Sequence, residues 1–182
     1  MLKIRPATAA DYSAIAGIYN LIRPEPVMAE ELQTGDQRAK EVPTAIFHRL
    51  VAEDEDGRLL GTGFAERMPW LPDGRWEVYA CSHPDCRGRG VASGLLEAVE
   101  RIAREGGATA LDSWCRSEPA SYLEWAQRRG FASALLRTES VLDLSHWDGS
   151  RFAGHIEKVQ SGGIRFVTID GPEAPEYLVR GI

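Results

Sequence analysis

The residues best suited to chemistry are 87–90, Arg-Gly-Arg-Gly, which stand directly before a run of helical periodicity. The N-terminus of an α-helix offers an anion unpaired amide N–H groups and the positive end of the helix dipole. Gly88 and Gly90 lack a Cβ and so let the backbone approach a diphosphate closely, while Arg87 and Arg89 add positive charge. This spacing indicates phosphate binding, although a short glycine pair is also typical of a tight turn.

The elements on either side of this loop must hold it in place. Residues 76–82 are predicted to form a strand, and apolar side chains recur at helical spacing over residues 91–104 until the Gly106-Gly107 pair. The loop has no Gly-Lys-Ser/Thr ending of an NTP-binding P-loop. Three glycines at 88, 90 and 94 only approximate a dinucleotide fingerprint, and the position in mid-chain disfavours a Rossmann unit.

The rest of the chain is predicted to alternate between strands and helices. Residues 2–5 indicate a strand and residues 12–22 a helix, in the order βα, βββ, αβαβ. Residues 24–42 are interpreted as a substrate-facing loop with a short helix near 29–32. The remaining predicted elements are a short helix over 44–49, a hairpin of 50–52 and 59–65, a strand over 109–115, a helix over 118–129, one or two strands over 131–144, a helix over 151–160 and a strand over 163–169.

Composition restricts the class of protein. A chain of 182 residues with 43% hydrophobic and 26% charged residues is long enough to bury a core without disulfides or metal. The net charge of −6 argues against a nucleic-acid partner. The three cysteines, Cys81, Cys86 and Cys115, lack the paired spacing of a metal site, and no apolar run approaches a membrane span. We therefore expect a cytoplasmic protein with no metal and no membrane or nucleic-acid partner.

Residues 82–96 resemble the coenzyme A-binding motif of the GNAT superfamily of N-acetyltransferases, Arg/Gln-x-x-Gly-x-Gly/Ala followed by paired leucines. Arg87, Gly90 and Ala92 occupy its three defining positions. The pair Gly130-Phe131 resembles a later motif of the same family, and the predicted element order is similar to it over residues 1–144.

The resemblance implies an α/β (α+β) fold with a mixed, mostly antiparallel central sheet that is flanked by helices. The sheet would be splayed between strands 4 and 5, here residues 76–82 and 109–115. Acetyl-CoA is the implied co-substrate. Its pantetheine arm would bind the backbone of Ala80, Cys81 and Ser82, and its diphosphate would lie on Arg87, Gly88, Arg89, Gly90, Val91, Ala92 and Ser93.

The resemblance also suggests catalytic residues. Members of this family use direct attack of an amine on the thioester, often with a carboxylate of the fourth strand as base, and Glu77 is the matching residue. Its ordinary interpretation is a solvated strand residue, and His83 is a second candidate base. The tyrosine that many members use as acid is replaced by Ala126, which leaves Tyr122, one helical turn earlier, as candidate acid or as a packing residue.

The C-terminal part of the chain looks like an addition. Residues 125–131 and 139–144 resemble the first domain of tandem GNAT proteins, which implies a GNAT domain over 1–144 and an extension over 145–182 that resembles the start of a second repeat. A strand edge and an apolar helix need a partner, so the extension is predicted to pack on its own domain or to form a homodimer.

The predicted function is transfer of an acetyl group from acetyl-CoA to a primary amine of a small molecule. Because the usual acid is absent at Ala126, the alternative is a coenzyme A-binding domain that does not turn over and has a sensor or structural role. A third hypothesis is a nucleotide-binding or interaction module. Acetyl-CoA binding and thiol release distinguish the three.

Overall fold

A computed structural model describes residues 2–138 and 140–166. The chain divides into two compact units, one over residues 1–132 and the other from residue 133 onward. The first unit contains a five-stranded sheet with the strands in sequence order. Its strands are β1 (Lys3–Pro6), β2 (Ile46–Glu53), β3 (Leu59–Arg67), β4 (Arg75–Ser82) and β5 (Ala110–Asp112).

Four α-helices accompany this sheet in the first unit. They are α1 (Tyr12–Asn20), α2 (Ala29–Glu41), α3 (Val91–Glu105) and α4 (Ser121–Gln127). Short 3-10 turns precede α1 at Ala9–Asp11 and follow β4 at Pro84–Cys86. The predicted helix that ends before Pro24, the hairpin and the long helix after the glycine loop are therefore confirmed.

The pairing of the strands confirms the predicted fold class. Strands β1 to β4 pair antiparallel, whereas β5 runs parallel to β4. The β4–β5 ladder covers only Arg75, Trp76 and Glu77 of β4, so it ends before the second half of that strand. From Val78 to Ser82, β4 has no ladder partner on the β5 side among the described residues, and this is the opening between strands 4 and 5.

One face of the sheet packs against α3. Trp76 and Val78 point from β4 to this face and lie in one apolar cluster with Leu95 and Val99 of α3, all at most 1% exposed. Burying each such side chain stabilises the fold by about 1.5–3 kcal/mol. This layer fixes α3, and with it the loop at its N-terminus.

The other face of the sheet packs against α1 and α2. Ile15 and Tyr19 of α1 cover Val51 and Cys81 in a second, smaller cluster. The alternation of a strand sends neighbouring residues to opposite faces, so Glu77 and Tyr79 lie on this side, between residues that face α3.

Two predictions before β3 were wrong. Residues 44–49 do not form a helix, because Ile46 onward is the start of β2, whose register with β3 runs from Ile46 opposite Arg67. Most of the predicted loop over 24–42 is the helix α2. Glu30 and Glu31 in its first turn and Arg38 and Lys40 in its last turn complement the helix dipole, which favours a helix in spite of the polar composition.

Predictions beyond Asp112 were only partly correct. The strand expected over 109–115 is limited to three residues, and none of the described residues in 131–144 forms a strand. In the second unit, the helix predicted over 151–160 is a 3-10 turn at Gly149–Phe152 followed by α5 (His155–Ser161). Residues 163–166 carry no strand, and 167–169 lie outside the described residues. The domain boundary at residue 144 stays a prediction.

Candidate active site

The glycine loop has the backbone conformation that close approach to an anion requires. Gly88 and Gly90 have φ of 74° and 79°, in the left-handed region that strains other residues. A Cβ added at either position would meet no heavy atom within 4 Å, so the space in front of both is open. The loop therefore presents its backbone to solvent immediately before Val91, the first residue of α3.

The first turn of α3 supplies amide donors toward that open space. The N–H of Gly94 is the first to make the helical bond, to the carbonyl of Gly90 at 2.9 Å. The N–H groups of Val91, Ala92 and Ser93 precede it and have no carbonyl in the helix to bind. Val91 is 2% exposed and anchors this turn in the core. The diphosphate site expected over these residues stays a prediction.

Arginine side chains surround the loop, and one of them was missed from the sequence. Arg87 donates a hydrogen bond to the hydroxyl of Tyr122 at 2.5 Å and stacks on its ring at 5.2 Å. Arg129 donates to the hydroxyl of Ser93 and stacks on Trp125 at 4.6 Å. Arg129 is 36 residues from Ser93 in the chain, so no local pattern indicated that it reaches the start of α3.

The second half of β4 runs toward this loop along the opening. Ala80 packs against the apolar cluster on the α3 face, and Cys81 is buried on the other side. Burial raises the pKa of the Cys81 thiol to about 11, so the thiol stays protonated at neutral pH. Backbone contacts of Ala80, Cys81 and Ser82 with a ligand in the opening stay a prediction.

Glu77 lies at the point where the opening begins. It is the last residue of β4 that pairs with β5, opposite Asp112, and on β3 its antiparallel partner is Glu66. Burial, and then the charge of Glu77, raise the pKa of Glu66 to about 7, while Arg49 opposes the shift. No local pattern in the sequence indicates a role for Glu66. Only the β3–β4 register, which a sequence does not specify to the residue, places it beside Glu77.

Polar and aromatic side chains line the same face of the sheet as the two glutamates. The Arg49 guanidinium donates two hydrogen bonds to Asp36, one of them at 2.7 Å, and a third to the hydroxyl of Tyr19 at 3.0 Å. The hydroxyl of Tyr12 donates to Asp36 at 2.8 Å. Phe64 stacks between two aromatic rings, those of Phe47 and Tyr79. The glutamates therefore lie beside a preorganised surface.

The remaining predicted residues occupy other places. The hydroxyl of Tyr122 lies at Arg87, which brings the candidate acid to the phosphate-binding loop. The Nδ1 atom of His83 accepts a hydrogen bond from the backbone N–H of Asp85 at 3.2 Å, so this histidine caps the turn that follows β4. Ala126 lies on α4 and offers no proton.

Comparison with protein families decides the assignment. The sequence model of the acetyltransferase (GNAT) family matches residues 14–131, which include β2 to β5, the glycine loop and α4. The chain belongs to the GNAT acetyltransferase family. The match covers every element of the first unit except β1, the 3-10 turn that follows β1 and the start of α1. The second unit lies outside the match.

Solved structures give the GNAT domain several relatives. A putative phosphinothricin N-acetyltransferase is 28% identical, with a TM-score of 0.61 over 72% of this chain and 84% of its own. YncA, a putative acetyltransferase from Salmonella typhimurium solved with acetyl-CoA, is 24% identical, with a TM-score of 0.57 over 72% and 79%. AAC(6')-Iy, solved with the bisubstrate analogue CoA-S-monomethyl-acetylneamine, is 18% identical, with a TM-score of 0.61 over 78% and 99%. A comparison with curated proteins finds no significant match.

Two further observations concern the described part of the GNAT chain. Within residues 2–138 and 140–166, no group of three or more His, Cys, Asp or Glu side chains is arranged to hold a metal ion. No helix within these ranges has both the length and the apolar character that a membrane span needs.

Proposed function

We propose that this protein transfers an acetyl group from acetyl-CoA to a primary amine of a small molecule. One observation carries the proposal: the left-handed Gly88 and Gly90 open the backbone at the N-terminus of α3. This cradle follows the half of β4 that has no ladder partner on the β5 side among the described residues, so a ligand bound there has a path along the strand to Glu77. YncA, a structural relative, was solved with acetyl-CoA, which supports the same co-substrate here.

The residues at the two ends of this path fit coenzyme A. Its diphosphate would be held by Arg87, Arg89 and the backbone of residues 88–93, where amide donors and positive charge coincide. The pantetheine arm would bind the backbone of residues 80–82 along the opening. Acetyl-CoA supplies an activated acyl group as its thioester.

The chain itself must orient the amine, remove its proton and exclude competing water. Glu77 is the predicted base because it lies where the β4–β5 ladder ends. Tyr122 is the predicted acid, although a thiolate is a good enough leaving group to depart without one. AAC(6')-Iy, solved with an analogue that joins CoA to acetylneamine, supports a small-molecule acceptor.

Further proposals concern the whole protein. The extension over residues 145–182 would pack on its own domain or on a second copy in a homodimer, and the protein would act in the cytoplasm. Light scattering tests the homodimer: we expect a dimeric mass that becomes monomeric when residues 145–182 are deleted. A monomeric mass that the deletion leaves monomeric would contradict the proposal.

Thiol release tests the function. We expect acetyl-CoA to bind in a calorimeter and at least one member of a broad panel of primary amines to release free coenzyme A. Because Cys115 is exposed, the assay should separate small thiols from the protein before detection. Acetyl-CoA binding without release from any amine would indicate a binding domain without turnover. Absence of binding would contradict the family's co-substrate for this chain.

A further inference from the structure

We infer that Glu66 is the general base that takes the proton from the acceptor amine, and that Glu77 acts as its charged partner, which holds the ammonium group. This inference rests on the proposed function and refines it, because it assigns the proton to a residue of β3 rather than to β4. It follows from the register of the two strands and from the groups that surround the pair.

The register places the two carboxyl groups side by side. Glu66 and Glu77 are direct antiparallel partners, and directly opposed side chains have Cβ atoms about 4.5–5.5 Å apart. Both point to the face that carries Phe64 and Tyr79, and both are partly buried. Two like charges at this separation disfavour each other, so the pair favours one shared proton or one bound cation. An alkylammonium ion meets both conditions, because it is a cation and it has a proton to give.

The location suits a reacting amine. The β4–β5 ladder ends at Glu77, so the pair lies at the start of the opening in which β4 has no partner on that side among the described residues. A thioester whose pantetheine arm follows β4 would reach this end of the opening. An amine held between the two carboxylates would then face the acyl carbon.

The surroundings distinguish the two glutamates. Burial is the main cause that raises the pKa of Glu66 to about 7, and the charges of Glu77 and Asp36 add to it. Arg49 is the cation that faces Glu66 from β2, and three of its N–H groups already donate to Asp36 and Tyr19. Asp112, which pairs with Glu77 in the ladder, is held by Arg75 at 2.8 Å.

A carboxyl group with a pKa near the working pH is the more effective base. In the proposed step, the ammonium group gives one proton to the carboxylate of Glu66. The freed nitrogen lone pair forms the C–N bond with the acyl carbon, and the C–S bond breaks with its electron pair on sulfur. The nitrogen loses a second proton, which neutralises the thiolate, and Glu66 returns its own proton to water. The overall change is one amide, one thiol and one proton in solution.

The test uses the full chain with Glu66→Gln and Glu77→Gln. Glu97→Gln is the matched control, because Glu97 is exposed on α3 and remote from the pair. The first measurement is a carbon-13 NMR titration of the glutamate carboxyl groups without ligand. The second is the pH profile of kcat/KM, with the amine of the panel that releases thiol fastest.

We expect one carboxyl resonance, absent from Glu66→Gln, to titrate near pH 7. In Glu77→Gln it should titrate at a lower pH, because a neighbouring negative charge has been removed. Glu66→Gln should lower kcat/KM about 100-fold at pH 7 and remove the ascending limb of the profile, with acetyl-CoA affinity unchanged. Glu66→Asp should restore part of the rate, and Glu97→Gln should behave as the wild type.

The outcomes separate this inference from the proposed function. Thiol release with an unaltered profile in Glu66→Gln, or a Glu66 resonance that titrates at an ordinary glutamate pKa, would overturn the base assignment and leave the transferase intact. Acetyl-CoA binding without release from any amine would overturn the proposed transfer and this inference together. Should Glu66→Gln fail to fold, the wild-type titration and Glu66→Asp still decide the question.

Discussion

The two faces of the sheet are built on different principles, although the same strands form both. Toward α3, β4 presents Trp76 and Val78 to an apolar cluster that excludes water. Toward α1 and α2, the next residues along the strand are Glu77 and Tyr79, which lie beside Glu66. Alternate residues of one strand thus supply the apolar core of the fold and the side chains for which we propose chemistry.

The two faces differ in what stabilises them and in whether they hold buried charged side chains. On the α3 face, stabilisation comes from apolar area and depends little on pH. On the opposite face, the buried Asp36 and Arg49 pair with each other, and each makes a further hydrogen bond, Asp36 with Tyr12 and Arg49 with Tyr19. Among the described residues Glu66 has no comparable ion pair with a cation, and burial raises its pKa. A residue of that kind is a candidate for function.

The largest effect, on acetyl-CoA affinity, should come from a change in the glycine loop before α3. Gly90→Asp places a negative charge and a side chain where the diphosphate is proposed to lie. We expect acetyl-CoA affinity, measured by calorimetry, to fall at least about 1,000-fold, equivalent to about 4 kcal/mol.

Gly107→Asp is the matched control for that variant. Gly107 also has a positive φ, of 88°, with no atom within 4 Å of an added Cβ, but it follows the opposite end of α3. The same backbone strain should therefore leave the affinity nearly unchanged. Equal losses of affinity in both variants would show that strain, and not the diphosphate site, is responsible.

An intermediate effect, on stability, should come from breaking the buried ion pair of Asp36 and Arg49 on the other face of the sheet. Arg49→Ala leaves the carboxylate of Asp36 buried without its cation, since the Arg49 and Asp36 side chains are only 7% and 6% exposed. We expect the free energy of unfolding in urea to fall by about 3 kcal/mol.

The double variant Asp36→Asn/Arg49→Met sharpens this result. It removes both charges together, so it should be more stable than Arg49→Ala alone, because no buried charge is left without its partner. Leu95→Ala on the α3 face should lose a similar amount, about 3 kcal/mol, through the cavity it leaves. A double variant no more stable than Arg49→Ala would contradict the pairing argument.

The smallest expected effect is a gain in stability instead of a loss, and it concerns Glu66. The folded state raises the pKa of Glu66 to about 7, so between the unfolded value of 4.5 and 7 the folded protein binds more protons than the unfolded chain. Stability therefore falls as pH rises through this window. Glu66→Gln removes that loss, so we expect it to be more stable than the wild type at pH 8, and the gain to shrink toward pH 4.5.

Partial exposure of Glu66 limits the gain to about 1 kcal/mol, because solvent screens a partly exposed carboxylate. Urea unfolding at pH 5 and pH 8 measures it, with Glu97→Gln as the variant that should show no such pH dependence. A constant difference between wild type and Glu66→Gln at both pH values would mean that Glu66 titrates normally in the folded state.

The sequence by itself determined the features that depend on neighbouring residues. Apolar spacing and the Gly106-Gly107 pair located α3 to within one residue, and glycines with adjacent arginines located the loop before it. Turn residues indicated the hairpin of β2 and β3. Predictions from local sequence patterns failed for α2, where a polar composition suggested a loop. They also failed over residues 131–144, where a strand would need a partner strand.

Only the tertiary structure decided which distant side chains meet. The register of β3 and β4 places Glu66 opposite Glu77, and a shift of one residue would send Glu66 to the α3 face. The packing of α2 on β2 brings Asp36 to Arg49, and the fold brings Arg129 to Ser93. These contacts depend on register and packing between elements far apart in the chain, about which periodicity and turn chemistry carry no information.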